Sequence, residues 1–104
     1  MRDIKYIVLH CSATAQNATV EAIKKYWKEK LGWKSPGYHL IVKPDGEVVQ
    51  LLAYDKISNG VKGYNSESIN ICYIGGKDVD DRTEAQKKSL QNIVTELRGK
   101  YPKA

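Results

Sequence analysis

Three short segments of the chain carry apolar residues on both faces of a β-strand, and this pattern restricts the fold more than any other feature. The segments are Ile4–His10, Gly37–Lys43 and Ser68–Gly75. A strand with two apolar faces has to be covered from both sides, usually by helices. A chain of 104 residues is long enough for one such domain. We therefore expect a single three-layer α/β domain, with a central mixed sheet and helices on both faces.

Two segments with the period of an amphipathic helix separate the predicted strands. The first runs from Val20 to about Leu31, with Thr19 as its N-cap and Gly32 as its stop. Its apolar stripe consists of Val20, Ile23, Trp27 and Leu31. The second runs from Thr83 to about Lys100 and opens with the capping-box sequence Thr83-Glu84-Ala85-Gln86.

A tight turn at Lys43-Pro44-Asp45-Gly46 follows the second predicted strand. Residues 47–53 are therefore expected to return as the second arm of a hairpin. Residues 54–67 are rich in Gly, Asn and Ser, and irregular stretches of that length in a compact domain are usually functional or disordered. The predicted order is strand, helix, hairpin, strand, helix.

The formal net charge of +5 is compatible with an anionic partner such as nucleic acid, a membrane surface or a wall polymer. A solvated basic surface is favoured over a nucleic-acid face, because no recognised nucleic-acid motif accompanies the charge. The sequence shows no apolar run of membrane-spanning length, and Met1–His10 resembles a strand rather than a signal peptide. The two cysteines lie in apolar runs, as free thiols do in proteins of a reducing compartment.

His10 ends the first predicted strand, a place where binding and catalytic side chains often project toward loops. Three interpretations stay open: a metal ligand, a general base, or a structural histidine with satisfied hydrogen bonds. Cys11 is a poor second metal ligand, because adjacent strand residues point to opposite faces. The same alternation separates Tyr38 from His39, and Cys72 is interpreted as a core thiol. A catalytic zinc needs three protein ligands, so these residues alone do not establish a metal hydrolase.

Four stretches in the same order resemble the zinc-dependent N-acetylmuramoyl-L-alanine amidases of the phage lysozyme and peptidoglycan-recognition type. They are Ile7–Thr14, Val20–Trp33, Gly37–Gly46, and Lys62–Asn65 with Ser68–Gly76. The segment Thr83–Tyr101 is similar to the long helix that follows in that family, so the resemblance covers almost the whole chain. It implies the amidase and peptidoglycan-recognition fold.

In this family a zinc-bound water cleaves the amide between the lactyl group of N-acetylmuramic acid and the L-alanine of the stem peptide. The resemblance implies that His10 is the first zinc ligand. It also implies that Tyr38 positions the water or stabilises the developing oxyanion. Lys62, Tyr64 and Asn65 correspond to the substrate-binding loop, so peptidoglycan or a muropeptide is the expected partner.

The sequence departs from the family pattern in two places. In family members the other two zinc ligands and an assisting basic residue follow the long helix, whereas this chain ends at Ala104. We therefore expect a domain that lacks the C-terminal segment of the family and an incomplete zinc site. In addition, Ser58-Asn59-Gly60-Val61 stands where many members have a histidine that contacts the substrate.

Three functions stay open at this point. The first is an amidase domain that is inactive without its C-terminal segment, and the second is an inactive module that binds peptidoglycan or a protein partner. The third, less favoured, is a regulator that binds nucleic acid or an acidic protein through its basic surface. Self-association through an uncovered sheet edge is a further hypothesis. The expected location is the cytoplasm at synthesis, with access to the cell wall by a holin-type route.

Overall fold

The fold is built on a four-stranded mixed sheet with the strand order β1-β4-β2-β3. The structure, a computed structural model, describes residues 3–33, 36–60 and 63–104. The strands are β1 (Tyr6–Cys11), β2 (Leu40–Val42), β3 (Val48–Gln50) and β4 (Ser68–Tyr73). Strand β4 is parallel to both β1 and β2, and β2 pairs with β3 in an antiparallel hairpin. The predicted mixed sheet is therefore confirmed.

One helix covers each face of the sheet, which confirms the predicted three-layer arrangement. The helices are α1 (Val20–Glu29) and α2 (Glu84–Lys100). The core beneath α1 consists of Ile23, Trp27, Ile41, Cys72 and Ile74. The core beneath α2 consists of Ile4, Leu40, Val42, Ile69, Ile71, Leu90, Ile93 and Leu97. Because side chains alternate along a strand, the even-numbered residues of β4 face α1 and the odd-numbered ones face α2.

Both helices begin where the capping signals place them. Thr19 caps α1, since its side chain accepts a hydrogen bond from the amide of Ala22. Thr83 and Gln86 form the predicted capping box of α2, with each side chain accepting from the other residue's amide. Gln86 is also fully buried and donates to the carbonyls of Val42 and Ile74, which ties the start of α2 to the sheet.

The prediction that Leu31 belongs to the apolar stripe of α1 was wrong. The helix ends at Glu29, and Leu31 is 42% exposed. The amide of Trp33 donates to the carbonyl of Trp27, and Gly32 has a φ of +67°, so the chain has left the helical path by that point.

The strands are shorter than predicted. β2 contains three residues where Gly37–Lys43 was expected. At His39 the regular hairpin pairing ends, because its carbonyl accepts from the amides of both Leu51 and Leu52, at 2.8 and 3.4 Å. The irregular stretch 54–67 ends in a short 3-10 turn, Asn65–Glu67.

Strand β1 lies at an edge of the sheet, where Tyr6 and Leu9 are 43% and 48% exposed. Self-association through this edge stays a prediction. Within residues 3–33, 36–60 and 63–104, neither helix is long and apolar enough to cross a membrane.

Candidate functional site

His10 and Tyr38 lie together on the α1 side of the sheet. Their ring centroids are 5.0 Å apart, with an interplanar angle of 43°. Trp27 of α1 packs edge-on against Tyr38, with a centroid distance of 5.4 Å. The helix thus holds the phenol ring beside the imidazole, and the structure brings together two of the residues that the sequence singled out.

A cavity of about 510 Å³ lies beside Tyr38, between the loop after β1 and helix α1. Its lining combines small, aromatic and hydroxyl-bearing side chains. It includes Ser12, Thr14, Ile23, Tyr26, Trp27, Trp33 and Tyr38. Aromatic rings with polar tips provide both apolar contact area and hydrogen bonds, which suits sugar and peptide ligands. His10 does not line this cavity. It lines a separate, smaller one of about 290 Å³ at the end of β1, together with Cys11, Tyr73 and Leu90 of α2.

The imidazole of His10 is fixed by Asn70 of β4. His10 Nε2 lies 2.9 Å from Asn70 Oδ1. The Nδ2 of Asn70 donates to Ser58 Oγ at 2.7 Å and lies 3.4 Å from Asn65 Oδ1. Asn70 and Ser58 are both fully buried. Sequence reasoning missed both residues, although a lone amide inside the apolar run Ser68–Gly75 is a signal that could have drawn attention.

Tyr38 is protonated throughout the physiological pH range. Burial raises its pKa well above the ordinary value, and interaction with the Cys72 thiol raises it further. A neutral phenol can donate a hydrogen bond to a substrate oxygen. Cys72 is fully buried, as predicted for a core thiol. Burial raises its pKa to about 12, although the hydrogen bond with Tyr38 acts in the opposite direction and lowers it.

The buried Cys72 predicts a loss of stability in alkali. Above pH 9 the unfolded chain releases the thiol proton while the folded chain keeps it, so the free energy of unfolding falls as the pH rises toward 12. We expect Cys72 to account for a decrease of about 1.5 kcal/mol between pH 7 and pH 10. Urea unfolding of the parent and of Cys72→Ala at both pH values measures it. Cys11→Ala is the matched control, and an equal pH dependence in all three proteins would contradict the prediction.

His39 lies on the opposite side of the sheet from Tyr38, as the alternation predicted. Its Nε2 is 2.8 Å from the carbonyl oxygen of Lys56, and its Nδ1 accepts a hydrogen bond from the backbone amide of Asn70 at 3.1 Å. Its ring packs near Tyr54, which belongs to the α2 side. His39 is therefore a structural histidine, and its two hydrogen bonds connect Lys56, which follows β3, to Asn70 of β4.

The described residues do not form a zinc site on their own. Among residues 3–33, 36–60 and 63–104, no group of three His, Cys, Asp or Glu side chains could hold a metal ion. The sequence contains two histidines and two cysteines. His39 faces the other side of the sheet, and Cys11 points away from His10 toward the carbonyl of Gly76, at 3.8 Å. His10 is thus a single imidazole, and a zinc ion there would need ligands from outside these residues.

The three residues of the predicted substrate loop have different positions. Asn65 begins the 3-10 turn and is connected to His10 through Asn70. Tyr64 is 54% exposed and packs edge-on against Tyr6, with a centroid distance of 5.6 Å. Tyr6 precedes His10 by roughly 13 Å along the strand. Lys62 lies outside the described residues.

Comparison with known proteins agrees with this geometry. The whole chain, residues 1–104, matches the Amidase_2 family, described as N-acetylmuramoyl-L-alanine amidase. The endolysin of Enterobacteria phage K11 is 40% identical over 102 residues, covering 92% of this chain and 68% of that protein. The structure of the Ph2119 endolysin from Thermus scotoductus MAT2119 bacteriophage Ph2119 matches with a TM-score of 0.87 at 29% identity, covering 100% of this chain and 70% of that one. The ectodomain complex of peptidoglycan recognition proteins LCa and LCx, with tracheal cytotoxin bound, matches with a TM-score of 0.85 at 26% identity, covering 97% and 66%.

The fold and the site define a domain of the peptidoglycan amidase and recognition-protein class. The chain belongs to the N-acetylmuramoyl-L-alanine amidase family, which confirms the resemblance seen in its motifs. It spans about two thirds of the length of these relatives. The family is generally zinc-dependent.

Proposed function

We propose that this chain is the substrate-binding part of a peptidoglycan amidase and holds a muramyl peptide across His10 and Tyr38. The observation that supports this most is the 5.0 Å pairing of the His10 imidazole with a protonated Tyr38 beside an aromatic cavity. A muramyl peptide offers methyl groups for such a cavity and amide oxygens for a phenol donor.

Each residue of the pair has a separate role in the proposal. The Tyr38 hydroxyl donates a hydrogen bond to the carbonyl oxygen of the lactyl–alanine amide, and the same bond would favour negative charge developing on that oxygen. Trp27 keeps the Tyr38 ring in place. His10 supplies one metal ligand, and the remaining ligands come from outside the described residues. Hydrolysis by these residues alone is therefore not part of the proposal.

The substrate loop and the net charge extend the binding surface in this proposal. Asn65, Tyr64 and Lys62 contact the stem peptide, whose carboxylates are attracted to a chain of net charge +5. Support for Asn65 comes from its connection to His10 through the Asn70 amide.

Tyr38→Phe is expected to weaken binding of a muramyl-L-alanyl peptide about tenfold, since one hydrogen bond from a half-buried donor is lost. Isothermal titration calorimetry with the metal-free chain measures the change. The matched control is Tyr101→Phe, which removes a hydroxyl on the α2 side and should bind like the parent. A parent chain without saturable binding, or a Tyr38→Phe chain that binds as tightly as the parent, would contradict the proposal.

Recognition without hydrolysis is the second candidate function. It is favoured by the finding that no three metal-ligating side chains come together among the described residues, and by the similarity to peptidoglycan recognition proteins. Neither candidate expects hydrolysis by residues 1–104 alone, so the test uses a longer chain that carries further zinc ligands. The appearance of free L-alanine amino groups from peptidoglycan incubated with that chain and zinc supports the amidase, and binding without any such product supports recognition.

A further inference from the structure

We propose that Asn70 is a positioning residue that fixes His10 in the Nε2-protonated tautomer and leaves Nδ1 as the nitrogen that accepts a ligand. The importance of this tautomer rests on the proposed role of His10. The inference itself is tested without metal and without muramyl peptide, so it can fail or succeed independently of the proposed function.

The neighbours of the Asn70 amide determine which way it points. One end of the amide faces Ser58 Oγ at 2.7 Å and Asn65 Oδ1 at 3.4 Å. In the structure this end is the NH2 group, whose two hydrogens face two oxygen atoms that can accept them. The other end, Oδ1, therefore faces His10 Nε2.

The orientation of the amide then determines the tautomer of His10. Asn70 Oδ1 has no hydrogen to donate, so His10 Nε2 must carry one to bond at 2.9 Å. A neutral imidazole carries one N–H, which leaves Nδ1 with its lone pair. Any metal ion or hydrogen-bond donor that binds the neutral ring must bind at Nδ1. Holding a ligating histidine through its other nitrogen is a general way to orient it.

The Asn70 side chain can occupy its position only because residue 60 is glycine. A Cβ atom added to Gly60 would lie 2.5 Å from Asn70 Cγ and 2.8 Å from both terminal amide atoms. Such contacts are far inside van der Waals distance, so any side chain at position 60 would displace the amide. The glycine within the departing segment Ser58–Val61 therefore provides the space that the Asn70 side chain occupies.

The backbone of Asn70 provides an internal reference for a test. Its amide donates to Nδ1 of His39, so His39 is also protonated on Nε2, where it donates to the carbonyl of Lys56. This second tautomer depends on the backbone of Asn70 and not on its side chain. A change of side chain at position 70 should therefore affect His10 and spare His39.

Long-range 1H–15N spectra of the 15N-labelled chain at pH 8.5 report the tautomers of both histidines. In the parent we expect both rings to show a protonated Nε2 and a lone-pair Nδ1. In Asn70→Leu, the two nitrogen shifts of His10 should move toward each other, as in a ring that exchanges between tautomers. The shifts of His39 should stay in place.

Gly60→Ala is the second variant, since it displaces the amide without removing it, and Gly60 has no positive φ that an alanine would strain. It is expected to move the His10 shifts in the same direction, and it decides the outcome if Asn70→Leu does not fold. A parent spectrum with the proton on His10 Nδ1 would overturn the inference. So would unchanged His10 shifts in a folded Asn70→Leu chain.

Discussion

Trp27→Ala is expected to lower the free energy of unfolding by about 3–5 kcal/mol, the usual cost of removing a buried tryptophan. Trp27 is 7% exposed and packs against Ile23, Ile41 and Ile74 in the core beneath α1. The same ring supports Tyr38, so muramyl peptide binding should weaken by at least about tenfold. Urea unfolding and calorimetric titration measure the two effects.

Tyr26→Ala is the matched control for stability, because it removes a neighbouring aromatic ring from the same helix. Tyr26 is 54% exposed, so little core contact is lost. An equal loss of stability in the two variants would show that Trp27 is not the centre of the α1-side core. Unchanged peptide binding in a folded Trp27→Ala chain would show that the Trp27 ring does not support the binding site.

Gly76→Ala is expected to destabilise the chain by about 2–5 kcal/mol, the sum of a left-handed backbone and an overlap in a packed region. Gly76 has a φ of +77°, and an added Cβ would lie 2.6 Å from Cys11 Cβ and 2.9 Å from Tyr73 Oη. Gly76 also pairs with Thr14 in an isolated bridge beside the end of β1. The substitution should therefore disturb the strand end that bears His10.

Gly32→Ala separates the two contributions to that loss. Gly32 has a similar φ of +67°, but an added Cβ would have nothing within 4 Å. Its variant should show the backbone cost alone, about 1–2 kcal/mol. If thermal or urea unfolding gives the same loss of stability for both variants, the close packing of Gly76 against Cys11 does not contribute to the cost of the substitution.

The sequence predicted the layers of the fold because they depend on local patterns. The stripe that contains Ile23 and Trp27 placed α1 over the sheet, and Thr83 with Gln86 marked the start of α2. Leu31 was misplaced because it continues the apolar period after the helix has ended. Periodicity records which residues are apolar, whereas the end of a helix depends on the backbone hydrogen bonds that follow it.

The site was less predictable because it depends on contacts between distant segments. His10 and Tyr38 were identified from motifs, and their 5.0 Å contact required the register of β1, β4 and β2. Asn70 was missed because a strand pattern does not reveal which side chain sixty positions away will bond to it. The segment Ser58–Val61 was noted as a departure from the family pattern, and the role of Gly60 in making space for Asn70 appears only in three dimensions.

We propose that these residues build a muramyl-peptide site around His10 and Tyr38 but do not complete a zinc site. Elemental analysis of the purified 104-residue chain, after dialysis at neutral pH against zinc-free buffer, measures whether the chain holds zinc. We expect well below one zinc per chain, because His10 alone cannot hold the ion. About one zinc per chain, lost in His10→Ala, would contradict it and show that the chain completes the site with its own residues or with those of a second copy.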